Sequence, residues 1–318
     1  MLSFRPAKRS EAKPLIGLYA ESGAGKTLSA LLLARGFVGP TGKVGMIETE
    51  SGRGEAYADD PRVPGGYAVL SLRDDYSPSV FGEAIAAAEK EDCDALIIDS
   101  ASHEWEAVGG VLHMAAQNEA AGKKGVLVWQ QPKMDHSRHF MLRLLGTPIP
   151  LVIVCMRARY PMQEKGKGNW QRSDTLVPFQ SDSILFELFA HGWIDREHKF
   201  HGTKWTRDEL RQVLIDGEPI SLKTGERLAS WAKGGTTASR VVTAPGIITG
   251  ATDVSGGPQA WEIVVNDFAE RFRDAKTGKE AKGWLEQWTK RKAQGDIPQQ
   301  GLDTVADAIA AVRSRLNG

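Results

Sequence analysis

The chain has 318 residues, and its 40 basic side chains balance its 40 acidic ones. That length exceeds a typical compact domain, so the sequence predicts one large domain with an appendage. No apolar run reaches eighteen residues, so the sequence predicts no membrane span. The first residues are basic but lack an apolar core, so no signal peptide is predicted. The balanced charge gives no support for nucleic-acid binding by the chain as a whole, so any surface for DNA must be local.

The first predicted strand leads into a glycine-rich loop. Residues 15–19 are a short apolar run, residues 20–27 read AESGAGKT, and an Ala/Leu-rich helix follows to about Arg35. This strand, loop and helix match the P-loop pattern G-x-x-x-x-G-K-[ST], with Ala20 in place of the first glycine. The segment therefore predicts a site for a nucleoside triphosphate.

Each residue type in this loop has a chemical reason. Gly23 and Gly25 let successive backbone N–H groups turn towards a phosphate. Lys26 is predicted to bind the β- and γ-phosphates and to assist catalysis, and the Thr27 hydroxyl is predicted to ligate Mg²⁺. The cofactors expected are ATP and Mg²⁺. The predicted nucleotide contacts within the loop are Glu21, Ser22, Gly23, Ala24, Gly25, Lys26, Thr27 and Leu28.

Strands and helices alternate after the P-loop. Apolar runs predict four further strands, at residues 43–48, 67–72, 94–100 and 149–155. Helical patterns between them cover residues 77–91, 104–121 and the later part of 125–145. Strands without polar alternation belong to parallel sheets covered on both faces. The fold class predicted is thus α/β, a mostly parallel twisted sheet with helices on both faces.

The pattern changes after the fifth strand. Strand-like segments at 175–179, 184–194 and 199–205 predict an antiparallel extension, and short helices are expected at 206–215 and 225–231. Residues 233–258, rich in Gly, Thr, Ser and Ala, predict a flexible linker. Apolar residues at helical spacing beyond it predict a small helical C-terminal domain at 259–318. The ATPase core is assigned to residues 1–232.

Three carboxylates stand where strands end. Asp99 closes an apolar strand about 70 residues after the P-loop, a place from which an aspartate supports Mg²⁺. Capping of the next helix is the alternative. Glu48 and Glu50 leave the second strand, and either could polarise the water that attacks the γ-phosphate. The alternative for each is a solvent-exposed strand end.

Several of these stretches carry a family resemblance. IETESGRGEAYAD at 47–59, ALIIDSAS at 95–102 and LVIVCMRAR at 151–159 resemble core strands of the RecA recombinases. Residues 12–232 resemble compact phage-encoded RecA-like ATPases, known as phage nucleotide-binding proteins or single-strand-annealing ATPases. The quoted features are Asp99-Ser100-x-Ser102 followed by Trp105, Trp129 followed by Pro132-Lys133, and GEPISLKTGERLASWA at 217–232.

The resemblance implies a RecA-like P-loop NTPase core and several roles. Glu50 takes the position of the catalytic glutamate, and Arg157 that of the γ-phosphate sensor, where RecA itself has a glutamine. Lys204 is the candidate finger that reaches a neighbouring subunit's γ-phosphate, with a plain surface lysine as the equal alternative. The sheet edge and Lys204 imply a homo-oligomer, either a ring or a filament.

Residues 157–172 form a basic stretch in which aromatic residues are interleaved. Gly166 and Gly168 predict a mobile loop, in which cations neutralise phosphates and rings stack on unpaired bases. The alternative is a solvated surface hairpin. The predicted DNA-binding residues are Arg159, Tyr160, Lys165, Lys167, Trp170 and Arg172.

The expected function is ATP hydrolysis on single-stranded DNA, stimulated by that DNA, in phage recombination, annealing or replication. One rival is a motor or helicase-loading ATPase of replication or packaging. The other is a nucleotide-gated module whose C-terminal domain recruits a partner such as a single-strand-binding protein. No membrane partner is expected. Cys93 and Cys155, both in apolar surroundings, predict buried free thiols in the reducing cytoplasm of a bacterial host.

Overall fold

The computed structural model describes residues 12–164, 166, 168–234, 272, 281–282, 285–286, 288–289 and 299–317. The chain divides into two compact units, Met1–Val241 and Val242–Gly318. Within the described residues, no helix combines the length and the apolar character needed to cross a membrane. The predicted linker, apart from residues 233–234, lies outside the described residues, and so does most of the predicted helical domain 259–318 before residue 299.

One mixed sheet forms the centre of the first unit. Within the described residues, the strands are β1 (Leu15–Ala20), β2 (Val44–Glu48), β3 (Ala68–Ser71), β4 (Ala95–Asp99), β5 (Leu151–Arg159), β6 (Met162–Glu164), β7 (Trp170–Arg172), β8 (Val177–Pro178), β9 (Ala190–Ile194) and β10 (Phe200–Trp205). Their order in the main sheet is β10-β9-β1-β5-β4-β2-β3, with β8 paired to β5, while β6 and β7 form a separate hairpin. All neighbours from β9 to β3 run parallel.

Helices cover both faces of this sheet. They are α1 (Lys26–Val38), α2 (Pro78–Lys90), α3 (Ser102–Glu106), α4 (Val111–Ala120), α5 (Val126–Asp135), a π-helical segment (His136–Met141), α6 (Leu142–Gly146), α7 (Asp182–Glu187) and α8 (Leu222–Ala232). Short 3-10 helices span Glu55–Tyr57 and Asp208–Gln212. The predicted α/β class, with a mostly parallel sheet between helical layers, is confirmed.

The two layers have separate buried clusters. One contains side chains of α1 and α8 together with Ile16 and Leu18 of β1. The other contains Phe81 of α2, Phe140 of the π-helical segment and Ile184 of α7. Strands β1 and β4 are both buried along their whole length, which explains why they are nearly continuous apolar runs in the sequence.

Helices α1 and α8 approach each other closely at two glycines. A Cβ at Gly36 would lie 1.9 Å from the Leu222 carbonyl oxygen, and one at Gly225 would lie 2.3 Å from the Leu33 carbonyl oxygen. Neither distance is compatible with a side chain, so glycine is what permits the contact between the two backbones. This packing fixes the direction of α1, whose first turn is part of the P-loop.

Some predicted elements are wrong in detail. Residues 184–194 are not one strand, because α7 occupies the first half and β9 the second. Ser181 begins α7 and its hydroxyl accepts a hydrogen bond from the Ser183 N–H, which satisfies a free donor of the first turn. The predicted antiparallel extension is also only partly right, since β9 runs parallel to β1 and only β8 and β10 are antiparallel.

The basic stretch after the fifth strand contains regular structure among its described residues. Strand β5 continues to Arg159, and the β6–β7 hairpin follows it. Lys165 and Lys167 lie outside the described residues. The two cysteines are free thiols, with Cys155 buried in β5 and Cys93 half-buried before β4.

The second unit contains the helix Gln299–Asn317. Val305, Ala308 and Val312 are buried, at the three- and four-residue spacing of a single helix face. The predicted apolar spacing of Val305, Ile309 and Val312 therefore does fall in a helix.

Candidate nucleotide-binding and catalytic site

The P-loop connects β1 to α1 at the carboxyl end of the sheet. Gly23 and Gly25 have φ angles of 85° and 93°, a region that residues with a Cβ rarely adopt. Lys26 is the first residue of α1, and only 8% of its surface is exposed. The loop thus presents backbone N–H groups, a helix N-terminus and an ammonium group at one place, which is the combination that binds phosphates.

Thr27 and Asp99 meet at the base of this loop. The Thr27 hydroxyl donates a hydrogen bond of 2.6 Å to Asp99 Oδ2. Within the described part of the chain, the other Asp99 oxygen, Oδ1, is buried without a hydrogen-bond partner. Burial is the main cause that raises the pKa of Asp99, with the nearby charges of Glu50 and Glu48 adding to it. A buried, unsatisfied carboxylate oxygen beside a threonine hydroxyl suits a metal ion or its bound water.

These two residues would hold Mg²⁺ together with the substrate. Among the described residues, no group of three or more His, Cys, Asp or Glu side chains could hold a metal ion. Mg²⁺ commonly binds through one or two protein ligands, substrate phosphates and water, so the residues present fit this ion.

Glu48 and Glu50 have different surroundings. Glu48 is fully buried and accepts hydrogen bonds from the backbone N–H of Glu50 (2.7 Å) and of Gly52 (3.2 Å), and from Arg73 (2.8 Å). Through these hydrogen bonds, Glu48 stabilises the turn that follows β2. Glu50 instead lines the cleft above the P-loop, so of the two predicted candidates it is the one within reach of a bound nucleotide.

Arg157 of β5 lies beside Glu50, although β4 separates β5 from β2 in the sheet. Its Nε donates to Glu50 Oε1 at 3.0 Å, and Arg53 pairs with Glu50 Oε2 at 3.2 Å. Burial raises the pKa of Glu50, but the Arg157 hydrogen bond and the charges of Lys26, Arg157 and Arg53 outweigh it, so this pKa is lowered. Glu50 is therefore a carboxylate at neutral pH.

The Asp-Ser-x-Ser run helps to position Arg157. The Arg157 backbone N–H donates to the Ser102 hydroxyl at 2.9 Å, and the Ser102 N–H donates to the Ser100 hydroxyl at 3.2 Å. The guanidinium also reaches Glu106 of α3 at 3.4 Å. The serines that follow Asp99 thus link the β4 end to the β5 end, a role that the sequence alone does not reveal.

A cleft of about 1050 Å³ lies over the P-loop. The predicted residues that line it are Ser22, Gly23, Gly25, Lys26, Thr27, Leu28, Glu50 and Arg157. The lining residues that sequence reasoning missed include Arg53, Tyr57, Arg62, Glu106, Phe179 and His198. Glu21 has different contacts, since its carboxylate pairs with Arg172 at 3.2 Å and with Arg196 at 3.4 Å.

His198 is the missed residue with the most direct contact to the P-loop. Its Nδ1 lies 2.9 Å from the Ala24 carbonyl oxygen, so Nδ1–H donates to that oxygen. A Cβ at Gly25 would lie only 2.8 Å from the same Nδ1. The turn between β9 and β10 therefore packs directly on the phosphate loop, a contact across 174 residues of chain that no local pattern shows.

The described part of the predicted DNA-binding stretch is largely exposed. Trp170 is 59% exposed on β7. The guanidinium of Arg159 lies 3.8 Å from the centre of the Phe179 ring, and that of Arg172 lies 4.4 Å from the centre of the Tyr160 ring. Because Arg172 also pairs with Glu21, this hairpin has a direct contact with the P-loop.

Lys204 lies away from the residues that line the cleft. Its Nζ donates to the carbonyl oxygens of Leu185 (3.1 Å) and Phe186 (2.6 Å), at the C-terminal end of α7. A cation at this end of a helix satisfies carbonyl groups that have no partner within the helix. A role of Lys204 at a neighbour's nucleotide stays a prediction.

The model of a protein family described as an AAA domain matches residues 12–188. The chain belongs to this AAA domain family. The matched region includes the P-loop, Glu50, Asp99 and Arg157, so these residues belong to an AAA-type P-loop ATPase domain. The more specific resemblance to phage RecA-like proteins stays a prediction.

Comparison with solved structures finds an ATPase from the type III secretion system of pathogenic bacteria. The two chains share 14% identity, the match covers 94% of this chain and 81% of that one, and the TM-score is 0.36. A similarity this low carries no conclusion about the function of the AAA domain described above. None of the curated proteins matches this chain.

Proposed function

We propose that this AAA-domain ATPase hydrolyses ATP on single-stranded DNA, in phage recombination, annealing or replication. The observation that carries the proposal is the position of Arg157. Its side chain binds Glu50 in the cleft, and its strand, β5, continues to Arg159 and into the basic β6–β7 hairpin. One continuous segment therefore connects the catalytic carboxylate to the surface proposed for DNA.

The site geometry supports the roles that we propose for the residues around the nucleotide. The P-loop N–H groups and Lys26 bind the phosphates, and Thr27 with Asp99 holds Mg²⁺. When bound, Mg²⁺ neutralises charge on the phosphate oxygens. Glu50, kept ionised by its cationic neighbours, orients and polarises the attacking water, because a carboxylate is a weak base suited to that task.

Arg157 links hydrolysis to DNA in this proposal. With the guanidinium on Glu50, the carboxylate is paired and less available to a water molecule. A γ-phosphate competes for the same guanidinium, which frees Glu50 and shifts the end of β5. Because such coupling is reciprocal, DNA that shifts the hairpin changes the affinity for ATP, and ATP changes the affinity for DNA.

The hairpin has the chemistry that single-stranded DNA requires. Exposed Trp170 offers a ring on which a base can stack, and Arg159 and Arg172 offer cations for phosphates. The hairpin lies beside the cleft, because Arg172 of β7 contacts Glu21 of the P-loop. The proposed oligomer, the γ-phosphate role of Arg157 and recruitment of a single-strand-binding protein by residues 259–318 belong to the same proposal.

Binding of single-stranded DNA to two matched arginine variants tests the DNA surface. Arg172→Ala removes a guanidinium 4.4 Å from the Tyr160 ring centre, and Arg211→Ala removes one 4.3 Å from the Trp205 ring centre, away from the hairpin. With ATP present, we expect Arg172→Ala to weaken binding and to reduce the slope of log affinity against log salt by about 0.7. Arg211→Ala keeps the wild-type values. Equal DNA affinities and equal salt dependence of the two variants would exclude the hairpin as the DNA-binding surface.

Glu50→Gln separates an ATPase from a nucleotide-gated module. The amide keeps the size of the side chain but cannot act as a base, so we expect turnover to fall by about 10²–10⁴-fold while ATP binding is retained. Steady-state hydrolysis and binding of a fluorescent ATP analogue measure the two effects. Unchanged turnover in this variant would favour the module.

A further inference from the structure

A surface on one side of the molecule combines exposed apolar side chains with basic ones. We call it the α5–α6 face, and it consists of Val126, Leu127, Trp129, Met134, Leu142 and Leu145. Val126 is 81% exposed and Leu142 is 66% exposed. Isolated exposed apolar residues are ordinary, but six of them on one short helical stretch indicate a surface that binds another protein.

Most of the charged side chains around this face are basic. Residues 123–145 contain five lysines and arginines and one acidic residue, Asp135. Asp135 accepts a hydrogen bond from Gln131, while Lys133 lies near the Trp129 ring and Arg143 pairs with Glu89 of α2. A partner for this face should therefore present an apolar side chain flanked by carboxylates.

The same chain carries such a surface on α7. Phe186 is 78% exposed, and Asp182, Ser183 and Glu187 are exposed beside it. We call these four residues the α7 face. Among the described residues, neither Asp182 nor Glu187 forms an ion pair, and Lys204 holds the carbonyl end of α7 in place. An exposed aromatic side chain with two exposed carboxylates beside it complements the apolar and basic α5–α6 face in polarity and charge.

The two faces belong to the same layer of the molecule. Phe140 and Leu144, which lie beneath the α5–α6 face, share a buried cluster with Ile184 and Leu188 of the α7 region. Both faces are thus on the same side of the sheet. Two copies related by a two-fold axis can then place each α7 face on the other copy's α5–α6 face.

We propose that a second copy of this chain covers the α5–α6 face with its α7 face, in a two-fold dimer with two equal contacts. The contact accounts for the exposed apolar side chains on both surfaces at once. This closed pair is a contact separate from the ring or filament of the proposed function, and it does not depend on whether the protein acts on DNA.

A charge exchange tests this contact. One variant, Asp182→Lys with Glu187→Lys, makes the α7 face basic, and the other, Lys133→Glu with Arg138→Glu, makes the α5–α6 face acidic. We expect the wild type to sediment as a dimer that dissociates on dilution. Each variant alone should raise the dimer dissociation constant by about tenfold or more, because like charges then meet at both contacts.

An equal mixture of the two variants should restore the wild-type dissociation constant, since opposite charges again meet at both contacts. The control exchanges Lys223 and Glu226, exposed on α8 in the other helical layer, and should leave the dimer unchanged. Equal melting temperatures of all variants show that folding is intact. A wild type that is a monomer throughout the dilution series overturns the proposal, and so does a mixture no tighter than its components.

Discussion

Glu48 and Glu50 show how two carboxylates at one strand end come to have different roles. Glu48 points into the turn and is surrounded by donors from Glu50, Gly52 and Arg73. It therefore builds the turn that presents Glu50 to the cleft. Both are acidic residues at the carboxyl end of β2, so the sequence leaves both as candidates for the carboxylate that activates water. Only the path of the backbone after β2 distinguishes the two.

Replacement of Glu48 tests its structural role. Glu48→Gln removes the charge that accepts three hydrogen bonds in a fully buried position, and we expect unfolding free energy to fall by about 1–3 kcal/mol. Glu55→Gln is the control, because Glu55 also faces Arg73, at 3.6 Å, but is exposed. That change should cost less than about 1 kcal/mol. Urea unfolding of both variants compares them, and equal losses would contradict the assignment.

His191 predicts a pH dependence of stability. It is buried in β9 opposite Lys204 of β10. Burial, and then the charge of Lys204, lower the pKa of His191 to about 4. The His191 side chain takes up a proton near pH 6.5 in the unfolded chain but only near pH 4 in the folded chain. The contribution of His191 to the free energy of unfolding is therefore complete above pH 6.5 and is lost as the pH falls towards 4.

The loss from this one histidine amounts to at most about 3 kcal/mol. His191→Gln has no proton to gain, so its unfolding free energy should change less between pH 7 and pH 4.5 than that of the wild type. The pKa of His103 is also lowered by burial, but this residue contributes equally to both proteins. Identical pH profiles in urea unfolding would show that His191 is not the cause.

At the scale of elements, the contact between α1 and α8 depends on Gly36. Gly36→Ala places a methyl group against the Leu222 carbonyl, and we expect a loss of about 1–3 kcal/mol from overpacking. Gly146→Ala is the matched control, because no atom lies within 4 Å of its Cβ position. Thermal unfolding of both measures the difference. A Gly36→Ala protein as stable as the control would contradict the close packing.

The elements that sequence analysis predicted correctly are the central ones. Strands β1, β2 and β4 are buried on both faces, so each is a plain apolar run, and the P-loop has a distinctive spacing. The region 184–194 failed because α7 is only six residues long and its apolar residues resemble those of a strand. A short helix begins where a cap such as Ser181 allows it, and that local detail is weak in the sequence.

The parts of the site that the sequence does not predict are the contacts between residues that are far apart in the chain. Glu50 and Arg157 are separated by 107 residues, and they meet because β2, β4 and β5 lie side by side with their carboxyl ends together. The separate roles of these residues were predicted, but their pairing was not. His198 and Arg196 were missed for the same reason, since no motif links the β9–β10 turn to the P-loop.

At the scale of the whole molecule, the sheet order brings nucleotide chemistry and the hairpin together. Strand β5 lies between β1, which leads to the P-loop, and β4, which ends in Asp99. It is also the strand that continues into the β6–β7 hairpin. A change at the γ-phosphate can therefore reach the hairpin through one strand, which is the physical basis of the coupling between ATP and DNA that we propose.

We propose that single-stranded DNA and ATP act on each other through this strand. The most direct measurement is ATP hydrolysis by wild type and Lys26→Ala, with and without single-stranded DNA, together with DNA affinity in the presence and absence of ATP. We predict that DNA stimulates the wild type, that ATP changes its DNA affinity by about fivefold or more, and that Lys26→Ala shows neither effect. A wild-type rate that DNA leaves unchanged, with DNA binding indifferent to ATP, would contradict the account.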